Sequence, residues 1–177
     1  FFKQKTAYEI IKNFSVSATF KYLFSDMGRI GNSRGASSVA FDLGVLYKCE
    51  INDWEGAGWS VGLHVSNLGP KINYLTSKDA LPATVKVGGA ADLPFLQMHK
   101  LTLTADLGYR LSPADVQALS VSAGAEYAWR ELVMLRGGYH CGDKKKGDAS
   151  YATAGAGVEY AGVRLDFAWL FAGHEYL

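Results

Sequence analysis

The stretch FSVSATFKYLF, residues 14–24, sets Phe14, Val16, Ala18, Phe20, Tyr22 and Phe24 on one parity and Ser15, Ser17, Thr19 and Lys21 on the other. Only Leu23 breaks the rule. A period of two belongs to a β-strand with one apolar and one polar face, because successive side chains point to opposite sides of the backbone. Outward from this run the pattern recurs about nine times, in lengths of about ten residues. It passes through residues 39–47, 59–66, 84–93 and 101–110, then through two hairpins at 119–129 with 133–140 and 152–160 with 163–171. Leu132 and Met134 blur the apolar face of the seventh run. No amphipathic helix of useful length is present, so the fold class is all-β.

Composition agrees. The 177 residues include 20 Gly, 10 Tyr, 9 Phe and 4 Trp beside only 4 Pro, a mixture that suits a closed antiparallel barrel better than a helical protein. The net charge of +1 gives no bulk attraction to nucleic acid, and nucleic acid is not an expected partner. Mean hydropathy is zero. No run reaches the roughly 18 consecutive apolar residues of a membrane helix, and no segment has the basic, apolar, small-residue order of a signal peptide.

The connections alternate in length. Arg130–Glu131 and Ala161–Gly162 are tight turns, and residues 49–56 and 94–99 fall at the same end if the strands run up and down. The other end receives SDMGRIGNSRGAS, NLGPKINYLTSKDALP, LSPADVQ and CGDKKKGDAS. Short turns at one end and longer polar loops at the other are the pattern of outer-membrane barrels.

A soluble sandwich alternates as well, and remains the competing reading at this point. Three features favour an antiparallel up-and-down transmembrane barrel. The runs have the length a tilted strand needs to cross a bilayer. Aromatics end the apolar face: Tyr47, Trp59, Tyr127, Trp129 and Tyr160 toward the short turns, Tyr109 and Tyr139 toward the long loops, with Trp169 also on that face. These are the expected interfacial aromatics. The polar face carries ionisable groups in mid-strand, and Asp42, His64, Lys86, Asp106, Glu126, Arg136, Glu159, Arg164 and Asp166 are the expected lumen-lining residues. Gly44, Gly62, Gly88, Gly108, Gly124, Gly138 and Gly155 share that face, where glycine permits tight coiling. Space for a ligand is the second reading of those glycines, and the structural one carries more weight.

Catalytic chemistry is not visible. GAGVEYAG, residues 155–162, lacks the G-x-G-x-x-G spacing and any strand–helix context. HCGD, residues 140–143, offers metal-ligand atoms without a second cluster, so neither a metal nor a cofactor is expected. No Ser, His and Asp suggest a nucleophile elbow, and the three lysines 144–146 between Asp143 and Asp148 read as a solvated loop tip. Cys49 and Cys141 fall at opposite ends of such a barrel, on the order of 25 Å apart. A bridge requires Cα atoms within roughly 7 Å, so none is expected.

SSVAFDLGVLYK, GWSVGLHVSNLGPKINY, LPATVKVGGAADLPF, KLTLTADLGYRLSP, SVSAGAEYAWRELVMLRGGYH and VRLDFAWLFAGHEYL together resemble the PorV/PorQ family of bacterial outer-membrane proteins. The SNLGPKINY segment followed by LPATVKVGGA carries most of the resemblance, which spans residue 14 to the C-terminus. It implies a FadL-like barrel of about fourteen strands, of which about nine are visible, so the chain reads as a partial barrel. It further implies a non-enzymatic role in the type IX secretion system of Bacteroidota, at the bacterial cell outer membrane. The implied partners are outer-membrane lipid, secreted cargo proteins and other components of that system. A FadL-like transporter of hydrophobic small molecules is the alternative, and a porin-like structural barrel a third reading.

The opening FFKQKTAYEI shows neither alternation nor a helical stripe. One back-translation of FKQKTAYEI resembles the flow-cell primer of short-read sequencing libraries. The expectation is therefore a division into residues 1–13, an artefact or unstructured segment, and residues 14–177, the partial barrel domain.

Overall fold

A computed structural model describes residues 2–11, 13–25, 36–73 and 78–172. Its strands are β1 (Phe2–Ile11), β2 (Phe14–Ser25), β3 (Ala36–Glu50), β4 (Gly58–Leu68), β5 (Ile72–Asn73), β6 (Lys78–Asp79), β7 (Thr84–Phe95), β8 (His99–Arg110), β9 (Leu119–Trp129), β10 (Val133–Cys141), β11 (Tyr151–Tyr160) and β12 (Val163–Ala172). The ten long strands form one antiparallel sheet in the order β1-β2-β3-β4-β7-β8-β9-β10-β11-β12. Strands β5 and β6 make a two-residue ladder of their own within the longest described connection.

Every long strand pairs with its neighbours in sequence, so the topology is up-and-down. The sheet is open, with β1 and β12 at its edges: a partial barrel. The four short turns predicted from the sequence all lie at one end, at residues 51–57, 96–98, 130–132 and 161–162. Several of these turns use left-handed backbone without glycine at the leading positions, as at Leu96, Gln97, Arg130, Glu131 and Ala161. The connections 69–83, 111–118 and 142–150 occupy the other end.

Within the opening segment, Phe2–Ile11 pairs with β2 over ten register positions, from Phe2↔Leu23 to Ile11↔Phe14. An edge strand satisfies its neighbour through backbone N–H and C=O groups alone, and that ladder makes no demand on side-chain alternation.

The two faces of the sheet differ in a way that removes the sandwich reading. A sandwich buries the apolar inner faces of two sheets against each other. Here all long strands belong to one sheet, and the apolar face has nothing packed on it among the described residues. Phe41 is 50% exposed, Leu43 52%, Leu107 49% and Leu135 54%. Most of the sheltered side chains are small or polar, Ala40, Ala128, Thr19, Ser38 and Asp42 among them; Met134 and Leu81 are also buried, and no large side chain among the described residues is fully so. A water-soluble monomer rarely exposes a contiguous apolar patch beyond a few hundred square ångströms, whereas this one spans β2 to β12.

Candidate functional site: the charged inner face

The side chains of the polar face occur in groups, each set by strand register. Near the long-loop end, β4 carries a β-bulge: Phe41 pairs with Leu68 while Leu43 pairs with Val65. Asn67 takes a left-handed backbone there (φ 57°), which asparagine tolerates better than most residues. The bulge turns the Asn67 N–H out of the ladder and toward Asp42 Oδ1, 2.8 Å away. Lys21 forms an ion pair with Asp42 and donates to Asn67 Oδ1 at 3.1 Å. The Asn67 amide donates in turn to the Pro82 carbonyl at 3.1 Å. Three strands and the following loop are thereby joined through one carboxylate.

Near the short-turn end a second group runs across β9, β10, β11 and β12. Arg136 pairs with Glu126 on one side and reaches Asp166 Oδ1 at 2.5 Å on the other. Asp166 also accepts from Arg164 Nε at 2.7 Å, and Arg164 stands 3.7 Å from Glu159. Strand β11 lies between Arg136 and Asp166, and what lets them meet is Gly157. A Cβ at that position would sit 2.5 Å from Asp166 Oδ1 and 3.4 Å from Arg136 Nη1. A smaller set on the same face joins Asp92 to Lys100 (3.2 Å) and to the Thr102 hydroxyl (2.6 Å).

A third group was not visible in the sequence. Ser122 Oγ lies 3.0 Å from His140 Nδ1, and His140 Nε2 lies 3.1 Å from Asp148 Oδ1. Tyr151 stacks on the imidazole with ring centroids 4.8 Å apart. The order Ser–His–Asp invites comparison with a nucleophilic triad. Its surroundings do not support acyl transfer: the strand N–H groups beside Ser122 are held in the ladder, and Asp106 is the register partner of Ser122 on β8, so a developing oxyanion would meet a carboxylate. The contact acts as a clasp that holds Asp148, and with it the loop 142–150, down against the inner face.

Between these groups lies a groove of about 460 Å³, lined among others by Gly44, Gly62, Gly88, His64, Lys86 and Asp106. Lys86 and Asp106 make no ion pair among the described residues. At two of these glycines neighbouring side chains come close: a Cβ at Gly44 would meet the Ser17 hydroxyl at 2.5 Å, and one at Gly88 would meet Asp106 Cβ at 3.0 Å.

The sequence-derived residues therefore distribute as follows. Asp42 lies in the buried group with Lys21 and Asn67. Glu126, Arg136, Glu159, Arg164 and Asp166 are brought together in the second group. His64, Lys86 and Asp106 border the groove. Of the aromatics, Tyr47 and Trp59 contact each other on the outer face with centroids 5.6 Å apart. Tyr127 joins Phe95 and His99 at the short-turn end, its hydroxyl 2.6 Å from His99 Nδ1. Trp129 receives the Arg130 guanidinium at 5.5 Å. Tyr160 stands beside the last short turn, and Tyr109 and Tyr139 lie toward the long loops. Trp169 instead shares a transverse row with Ala154, Gly137, Ala125 and Leu103, in the middle of the sheet. Lys21, Asn67, Ser122 and Asp148 complete the groups without having been singled out in the sequence. The only advance signal was asparagine in SNLGP, a residue suited to left-handed backbone before a Gly-Pro pair.

Cys49 and Cys141 are free. No three His, Cys, Asp or Glu side chains among the described residues are placed to hold a metal ion together.

An open, antiparallel, up-and-down sheet with an apolar outer face and a charged, hydrogen-bonded inner face defines a class: the β-barrel whose solvent on the outside is not water. No curated protein matches the chain. A family model described as type IX secretion system protein PorV matches residues 2–117, well over half of it. The chain belongs to the PorV family of type IX secretion system proteins.

Proposed function

We propose that the chain is a non-enzymatic outer-membrane barrel that engages secreted cargo proteins during type IX secretion. The observation that carries this reading is the inversion of the sheet, with leucines and phenylalanines half exposed on the outside and Asp42 buried on the inside. Membership of a secretion family supplies the biological direction. On this reading the nine ionisable residues named from the sequence line the lumen, and the ion pairs made by Asp42, Glu126, Arg136, Glu159, Arg164 and Asp166 make that wall rigid. A rigid wall fixes where the loops leave the sheet, and loops held by a scaffold are where recognition residues concentrate. The 69–83 and 142–150 connections are tied to the inner face by Asn67 and Asp148, so both groups hold the loop-bearing end in shape. The partners are outer-membrane lipid, cargo, and other components of the secretion system.

The experiment is retention of secreted C-terminal domains on the immobilised, detergent-folded chain. Specific retention, lost when the 142–150 loop is replaced by a Gly-Ser linker of equal length, is the expected result. No retention of cargo, together with uptake of hydrophobic small molecules by vesicles containing the chain, would replace this reading with the transporter.

A further inference from the structure

The loop 142–150 carries its three lysines on an ordered turn. Its center is a single 3-10 turn, Lys144–Lys146, closed by Gly147 in a left-handed conformation. The acids flanking the lysines are engaged within the loop. Asp143 Oδ1 accepts the Lys145 N–H at 3.0 Å, and Asp148 is held by His140. A fourth basic residue joins from the end of β8, because Arg110 Nη1 donates to the Lys146 carbonyl at 3.3 Å. The three lysines are exposed, while Asp143 and Asp148 are half-buried, so the outer surface of the turn is cationic. Asp115, exposed on the 111–118 connection, is the one acid of that neighbouring loop.

The turn is also short of reach. Lys145 stands four residues beyond Cys141, the end of β10, and therefore at most about 13 Å above the strand. Asp148 is drawn back to His140 and Ser150 Oγ bonds the Gly142 N–H at 3.1 Å, so the loop cannot rise as a free arm. The headgroup layer outside the hydrocarbon core is about 5–8 Å thick on each side. Flexible lysine side chains on a turn pinned close to the strand end are within reach of the phosphates of that layer.

We infer that Lys145 and Lys146, with Arg110, dock the phosphate of lipid headgroups in the leaflet that meets the long-loop end. This rests on the membrane reading of the sheet and goes beyond the family match, which ends before the turn. The docking would fix the barrel's depth and keep its loops at a constant height over the surface.

The test is titration of the whole chain, folded in neutral-detergent micelles, with a short-chain phosphatidic acid. Short-chain phosphatidylcholine, inorganic phosphate and an acidic peptide serve as the comparison ligands. Phosphatidic acid is expected to bind best and to weaken as salt rises. The double variant Lys145→Gln/Lys146→Gln should bind it about thirtyfold more weakly, about fivefold for each charge lost near an anionic surface. Arg110→Gln should lose about fivefold by itself. Equal binding by wild type and the double variant overturns the inference, as does equal binding of phosphatidylcholine or of free phosphate. Tighter binding of the acidic peptide would assign the turn to a protein partner instead. A chain that gains no strand structure in micelles would end the membrane reading, and this inference with it.

Discussion

The two ion-pair groups of the inner face use the same chemistry in different surroundings. Lys21 and Asp42 keep only 15% and 9% of their side-chain surface exposed, and their carboxylate also receives a backbone N–H from a bulge. Arg136, Glu126, Asp166 and Arg164 remain between 29% and 47% exposed and bond one another only through side chains. A buried charge that loses its partner faces the full cost of desolvation, whereas an exposed one is rescued by water. The first group therefore specifies structure, because the bulge at Asn67 and the exit of the 69–83 connection depend on it. The second is a set of small contributions across four strands.

Substitution should separate them. Asp42→Ala leaves Lys21 and the Asn67 N–H without their acceptor and is expected to cost about 3 kcal/mol in guanidinium unfolding of the micelle-folded chain. Asp42→Asn should recover part of this, since the amide oxygen can still accept from Asn67. A loss below about 1 kcal/mol for Asp42→Ala would place the two groups on an equal footing and break the comparison.

Gly157→Val comes next, at about 1–3 kcal/mol, because the new side chain occupies the space through which Arg136 meets Asp166. Its effect should shrink in an Arg136→Ala background, a coupling the same unfolding measurement reports. Smaller still, a double-mutant cycle on Arg136 and Glu126 should give a coupling under about 1 kcal/mol, declining as salt is added. The least effect on stability belongs to His140→Ala. There the expected change is local: faster amide exchange and proteolysis confined to residues 142–150, with the rest of the sheet protected as before.

Much of this could be read from the residues alone. The nine strands from β2 to β12, leaving aside the two-residue pair, follow from alternation, and the face on which Asp42, Glu126, Arg136 and Asp166 lie follows with them. Which of those residues meet does not, because that depends on register between strands. Glu126 and Arg136 are register partners, but Arg136 reaches Asp166 across β11 only because position 157 lacks a side chain. The bulge at Asn67 was hidden for the same reason, as a bulge is a mismatch between two strands and neither sequence alone contains it. His140 and Asp148 are separated by a loop whose path alternation cannot give. Strand β1 pairs on one side and shows no periodicity.

The faces themselves hold the central claim: leucine outside meets lipid. Leu43 is 52% exposed at the middle of β3, beside buried Asp42. The decisive measurement is the unfolding free energy of Leu43→Arg in phospholipid vesicles, compared with the same variant in neutral micelles of short-chain detergent. A lipid-facing position predicts a loss of about 2–4 kcal/mol in the bilayer. No loss, in a chain that stays folded and monomeric in buffer without lipid or detergent, would contradict it.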